Sequence, residues 1–262
     1  MPNPQSPPSG HPYRFTTIAH GDMSILGPLL PAELDGLVAT AVAALPIGGA
    51  KPPFALDIGC GKGDLLVRFA LRGVRGIGVD RNPWFIADAE RLAAAAGVAG
   101  NLEWRTADAA VEPLVIGADI AACIGATGAL GGPVTAPGVV AHLLRPGGIG
   151  LIGEAFWREP PPAGTAEAFG MGPDEMVDLD ATVARVAAGG LVPLAVVRAS
   201  LAGWDAYEDA YAGAVERWAD GHPDDPDREA FTEGAAMMRA TWTAWRRASM
   251  GFAVIVVRRA AG

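Results

Sequence analysis

The strongest chemical signal in the chain is Asp57-Ile58-Gly59-Cys60-Gly61-Lys62-Gly63. Three glycines alternate with other residues directly after a short apolar run, Phe54 to Ile58. Glycine there permits a sharp turn and lets backbone approach a ligand closely. Asp80 closes the next apolar run, Gly76 to Val79, 23 positions after Asp57. A carboxylate so placed can accept both ribose hydroxyls of an adenosine ligand. The pairing points to an adenosine-bearing cofactor.

Phosphate-bearing cofactors fit the pattern poorly. Counted from Gly59, the dinucleotide fingerprint needs its last glycine at position 64, which is Asp64. A carboxylate opening the helix repels a pyrophosphate from the helix N-terminus. A P-loop fails as well, because Gly63 follows Lys62 where Ser or Thr is required, and Leu56 stands at the upstream glycine position. S-adenosylmethionine (SAM) carries a sulfonium cation and no phosphate, so an acidic surround suits it better than NAD.

These residues need elements to hold them. The periodicity predicts a helix over Pro31 to Leu45, with Pro31 in the first turn where its missing N–H costs nothing. Strands are expected at Phe54–Ile58, Gly76–Val79, Asn101–Arg105, Ala118–Ile124 and Ile149–Glu154. Helices alternate with them at Leu65–Arg72 (with Asp64 as N-cap), Ala87–Ala96 and Gly138–Leu144. Strand–helix alternation signals a parallel sheet with helices on both faces. A helix at Thr182–Ala188 and a strand at Val192–Arg198 follow. Trp204 to Ala248 reads as helical with a break around His222–Asp227, and Phe252–Arg258 is a last strand. The α/β domain is expected to span 15–262, with 203–249 as a helical insertion near the substrate site. Residues 1–14, with five prolines by Pro12 and no apolar core, read as a disordered tail and not a signal peptide.

Composition narrows the partners. The net charge is −9, and the Arg-Arg pairs at 246–247 and 258–259 stand without a basic stripe. Nucleic-acid binding needs clustered positive charge, so a small-molecule partner is the default. No apolar run approaches the roughly 18 residues that span a bilayer, and a cytoplasmic location follows by default. Cys60 and Cys123 form no metal or disulfide framework, and no metal site is expected. No lysine follows Lys62, which excludes the short-chain reductase type with its Tyr-x-x-x-Lys pair.

The series LDIGCGKGD, GIGVD, TADA around Asp108 and RPGG before the fifth strand resembles the motif series of class I SAM-dependent methyltransferases. The resemblance covers about Phe54 to Trp157. It implies a Rossmann-like sheet in the order 3-2-1-4-5-7-6 with an N-terminal cap helix. It also implies roles by position. Gly59, Cys60, Gly61 and Gly63 form the cofactor turn, and Asp57 orients the methionine amino group. Asp80, followed by Arg81, holds the ribose. Asp108 bonds the adenine amine beside Ala109, and Cys123 and Ile124 line the cofactor. CIGAT at 123–127 and GEAFW at 153–157 are similar to a bacterial small-molecule branch of the family. The N-P-P-Y motif of DNA adenine and protein glutamine enzymes is missing after the fourth strand. The acceptor class implied is a small molecule, with a non-catalytic SAM-binding protein and a SAM-fold enzyme of other chemistry as alternatives.

Some residues carry two readings. His20 precedes the cap helix and is either a general base or a polar loop residue. Glu154, at the carboxyl end of the fifth strand, is either an acceptor-site carboxylate or a local hydrogen-bond partner. Trp204, Tyr207, Tyr211 and Trp218 share a helical face that serves core packing, with Trp204 and Tyr207 as candidate substrate contacts. Trp157 is the stronger pocket candidate, while Trp242 and Trp245 read as packing. Asp224, Asp225 and Asp227 lack EF-hand spacing and read as a solvated loop.

Overall fold

The computed structural model describes residues 7–46, 51–165 and 176–260. Seven strands form one sheet: β1 Phe54–Ile58, β2 Arg75–Asp80, β3 Leu102–Thr106, β4 Ala118–Ile124, β5 Leu144–Trp157, β6 Leu191–Arg198 and β7 Met250–Arg259. Their order is β3-β2-β1-β4-β5-β7-β6, as the family resemblance implied. The first five strands pair in parallel, and β7 runs antiparallel to both β5 and β6. The strand order reverses between β1 and β4, and crevices for ligands open at the carboxyl ends beside such a switch.

Helices cover both faces because the buried strands are apolar on both sides. On one face, α2 (Pro31–Ala43) and α3 (Asp64–Ala70) bury Leu34, Leu37, Leu66 and Phe69 together with Trp204 and Trp242 of the insertion. On the other, α5 (Ala136–Leu143) and α6 (Leu179–Ala188) bury Val140, Leu143 and Val186. The helix α4 (Pro83–Ala95) packs Ala93 against Val67 and Ala70 of α3. The insertion between β6 and β7 contains α7 (Leu201–Gly221), α8 (Arg228–Thr241), a π-helical turn at Trp242–Arg246 and a short turn at Arg247–Ser249.

Four expectations need correction. Residues 1–6 of the expected tail lie outside the described residues, but 7–14 are not a tail. Arg14 is buried, donates to Pro7 O, pairs with Asp225 and Asp227, and lies over the Trp218 ring. It opens a six-residue helix, α1 (Arg14–Ala19), which is too short for periodicity to reveal and is held by tertiary packing of Ile18 and Ala19 on Val215 and Ala235. The same ion pairs correct the reading of Asp225 and Asp227 as a solvated loop. The N-cap of α3 is Gly63, and Asp64 instead pairs with Arg68. Finally, β5 reaches Trp157 because nine register pairs with β7, from Ile149↔Arg258 to Trp157↔Met250, extend it.

Candidate functional site

The glycine turn is built from backbone. Gly59 N and Cys60 N both donate to Val79 O, at 2.8 and 3.1 Å, so the turn is tied to the end of β2. Gly59 has φ +69°, and a Cβ there would stand 2.3 Å from Ala126 Cβ. No other residue satisfies both the left-handed backbone and that contact. Gly61 and Gly63 also have positive φ.

Asp80 is held in place by the turn it serves. Its Oδ2 accepts from Gly61 N at 2.9 Å and its Oδ1 from Asn82 N at 2.8 Å. Each oxygen keeps acceptor capacity for a ligand hydroxyl. Asn82 caps α4 through Trp84 N (3.0 Å) and donates to Thr17 Oγ1 (2.9 Å), which ties α1 to the same corner. Burial pushes the Asp80 carboxyl up, and the two backbone donors pull it back. Asp57, on β1, is 4% exposed. Burial, then repulsion from Asp80, pushes it up to about 7.

A cavity of about 920 Å³ opens over the carboxyl ends of β1, β2, β4 and β5. At one end lie Asp57, Gly59, Gly61, Asp80, Arg81, Asp108 and Ala109. Asp108 Oδ1 accepts from Ala110 N at 2.9 Å, which fixes the turn after β3. At the other end lie Thr127, Glu154, Trp204, Tyr207 and Phe252. Ser24 to Leu29, an irregular segment between α1 and α2, also lines the cavity.

Lys62 fastens that segment to the glycine turn. Its buried ammonium donates to His20 O (2.6 Å) and Gly21 O (3.0 Å) and pairs with Asp88 (3.0 Å). The insertion closes on the same segment. A Cβ at Gly203 would stand 2.2 Å from Pro28 O, so only glycine lets α7 approach this closely. Glu33 joins the two by accepting from Leu30 N (2.8 Å) and Ser200 N (3.1 Å). The result places Trp204 over the cavity, stacked on Trp242 at 5.3 Å and 25°.

His20 lies on the cavity wall, 8% exposed. Its Nδ1 is 2.8 Å from Thr16 O, and a carbonyl only accepts, so Nδ1 carries the proton. Nε2 then accepts from the Tyr207 hydroxyl at 3.1 Å. Burial is the main cause that holds the imidazole below its ordinary pKa, so the neutral form is favoured. Glu154 stands apart from this pair. Its Oε1 is buried and has no hydrogen-bond partner among the described residues. Burial pushes this carboxyl up as well, against Thr127 and the charge of Arg185.

All but three of the candidate cofactor, catalytic and substrate residues line this one cavity. Gly63 shapes the turn from behind, where a Cβ would meet the Trp104 ring at 2.3 Å. Cys123 is fully buried in the core between β4 and α5, so of Cys123-Ile124 only Ile124 reaches the cavity. Trp157 lines a separate cavity of about 510 Å³, with its ring 6.3 Å from Trp245.

Residues 56–149 match the family model described as a methyltransferase domain. The chain is 36% identical over 173 residues to the uncharacterized protein YjhP of Escherichia coli (strain K12), covering 65% of this chain and 70% of YjhP. The structure is similar to that of a Geobacter sulfurreducens SAM-dependent methyltransferase in complex with S-adenosylhomocysteine (SAH). The TM-score is 0.85 at 30% identity, covering 97% of this chain and 98% of that one. A Thiobacillus denitrificans SAM-dependent methyltransferase in complex with SAH gives a TM-score of 0.85 at 29% identity, covering 96% and 98%. The chain belongs to the class I SAM-dependent methyltransferases.

The methyl donor of this methyltransferase is therefore SAM, and the acid-lined end of the cavity fits it. Asp57, Asp80 and Asp108 line that end with three carboxylates. Sequence reasoning missed Lys62 as a structural tie and Phe252 as a lining residue of the cavity. The one signal for Lys62 was its rarity, since the chain has only Lys51 besides. No local pattern marks Phe252.

Proposed function

We propose that this methyltransferase carries the methyl group of SAM to a small-molecule acceptor held at the Glu154 end of the cavity. The carrying observation is one cavity with two chemically distinct ends, an acidic backbone-built one and an aromatic one. Its volume of about 920 Å³ lies within the roughly 300–1,000 Å³ of small-molecule sites. In this reading Asp80 holds the ribose, Asp108 with Ala109 holds the adenine, and Asp57 holds the methionine amino group. Gly59, Cys60 and Gly61 supply close backbone, and Arg81 and Ile124 complete the walls. Trp204 and Tyr207 contact the acceptor.

SAM supplies an electrophilic methyl on a sulfonium whose departure leaves a neutral thioether. No acid is needed, and the protein contributes alignment and exclusion of water. Two groups can take a proton from the acceptor. Glu154, which lines the cavity, reaches it directly. His20 reaches it through the Tyr207 hydroxyl, because that hydroxyl occupies Nε2.

Calorimetric titration tests the cofactor end. SAM and SAH are expected to bind and NADH to give no heat. Asp80→Ala is expected to weaken SAH binding by about 1–3 kcal/mol through the unpaired ribose hydroxyls. An unchanged affinity would remove Asp80 from the site. Incubating the enzyme with methyl-labelled SAM and a cell extract tests the acceptor. Label is expected in the low-molecular-weight fraction, and label confined to protein or nucleic acid would overturn the small-molecule reading.

A further inference from the structure

Resting on the reading of the cavity as a cofactor end and an acceptor end, we propose that the acceptor is an amine whose cationic nitrogen is recognised by Glu154 and an aromatic wall. Charge is the first argument. Among the described residues that line the cavity, Arg81 is the only arginine or lysine. It belongs to the cofactor end, next to Asp80, with its guanidinium 5.6 Å from the Tyr13 ring centre. Lys62 spends its three donors on His20 O, Gly21 O and Asp88. His20 is held neutral, with Nδ1–H on Thr16 O and Nε2 taken by Tyr207. Arg185 acts on Glu154 electrostatically but does not line the cavity. The acceptor end therefore faces its ligand with one carboxylate and no cation of its own.

The second argument is the unsatisfied oxygen. Glu154 Oε1 is buried without a hydrogen-bond partner among the described residues. A buried carboxylate oxygen left bare is costly, and a charged donor compensates it best. A carboxylate or phosphate on the acceptor would meet Glu154 as a like charge.

The third argument is the wall. Trp204, Tyr207 and Phe252 present aromatic surface around the same space. Two of the three are fixed before any ligand arrives. Trp204 stacks on Trp242, whose Nε1 donates to Asp205 at 3.1 Å, and the Tyr207 hydroxyl is anchored on His20. Rigid aromatic faces beside a lone carboxylate attract a cationic nitrogen electrostatically and bury the apolar group it carries.

The reaction balances with these groups. Glu154 takes one proton from the bound ammonium and frees the nitrogen lone pair. That pair forms the new C–N bond as the C–S bond breaks, and the C–S electrons stay on sulfur. The methylated nitrogen leaves as an ammonium, and Glu154 returns its proton to solvent. The raised pKa of the Glu154 carboxyl favours this proton uptake.

The test uses protein saturated with SAH and three matched probes: benzylamine, benzyl alcohol and benzoate, with a series of primary amines from methylamine to 2-phenylethylamine. Benzylamine or another amine of the series is expected to bind about tenfold or more tightly than benzyl alcohol and benzoate. Glu154→Gln is expected to erase that preference while SAH affinity stays within about twofold, which reports an intact fold. Equal binding of benzoate or benzyl alcohol, a preference that survives in Glu154→Gln, or no binding by any amine would each overturn the proposal. Failure of SAH itself to bind would instead overturn the cofactor-site reading beneath it.

Discussion

The two ends of the cavity are made in different ways. At the Asp80 end the lining comes from strand ends and turns between Asp57 and Ala110, and the glycine turn there is tied down by backbone amides. Its key carboxylate is fixed by two amides, Gly61 N and Asn82 N. At the Glu154 end the lining comes from residues far apart in the chain, Thr127, Glu154, Trp204, Tyr207 and Phe252. There the fixing contacts join remote segments, such as His20 to Tyr207 across 187 positions. A backbone-built site tolerates little change in shape, whereas a side-chain site can change its ligand while the sheet below stays the same.

The largest expected effect breaks the backbone end. Gly59→Ala forces a left-handed conformation on a residue with a Cβ, at a cost of about 1–2 kcal/mol. The Cβ also collides with Ala126 Cβ, and overpacking of this kind costs about 1–3 kcal/mol. SAH affinity is expected to fall by roughly a hundredfold, while Trp204→Phe leaves it within about threefold. Calorimetry on both variants decides the matter. If Trp204→Phe weakens SAH as much as Gly59→Ala does, the two ends are one site and the contrast is wrong.

Lys62→Met targets the link between the ends. The variant strands two carbonyls and Asp88, a loss of about 1–3 kcal/mol. A chain of this size then loses about 2–4 °C in Tm per kcal/mol. The sharper readout is amide hydrogen exchange, expected to quicken in residues 20–29 well before it changes in β1 or β2. Unchanged exchange in that segment would show that Lys62 is not what holds it.

Proton linkage separates the ends at a finer scale. Asp57, pushed up to about 7, is half protonated near neutral pH without a ligand. An ammonium placed against it favours the ionised form, so cofactor binding is expected to release protons. Affinity for SAH should therefore fall as pH drops below about 7, by at most about tenfold per pH unit. Titrations in buffers of different ionisation enthalpy would report the proton release directly. Asp57→Asn should abolish it, and a release that persists in that variant would move the linkage to another group.

The same contrast governs what the sequence made legible. The glycine turn and Asp80 follow from short-range spacing, because each is positioned by its own strand end, while Asp108 came with the family resemblance. The sheet order came with the family resemblance, and the strands were visible as apolar runs. The helix α1 escaped because six residues carry no period, and Arg14 binds partners more than 200 positions away. Cys123 and Ile124 illustrate a finer limit. The motif marks the end of β4, but adjacent strand residues point to opposite faces, so only one reaches the cavity. Glu154 was recognisable from its strand end, while Phe252, which lines the same cavity, lies within β7 with no local pattern to mark it.

The smallest expected effect concerns Trp157. Its place after β5 suggested a substrate contact, yet β5 pairs with β7 out to Trp157↔Met250 and carries the ring past the cavity. There it lines the second, smaller cavity with Arg158, Asp178 and Arg198. Trp204 lines both cavities and forms the partition between them. Trp157→Phe is therefore expected to change the affinities for SAH and for benzylamine by no more than about twofold. Removing the partition by Trp204→Ala should alter the benzylamine affinity far more than the SAH affinity. A tenfold loss of amine binding in Trp157→Phe would mean that the acceptor reaches beyond Trp204. The side-chain end would then include both cavities, and its ligand would be larger than the aromatic wall alone suggests.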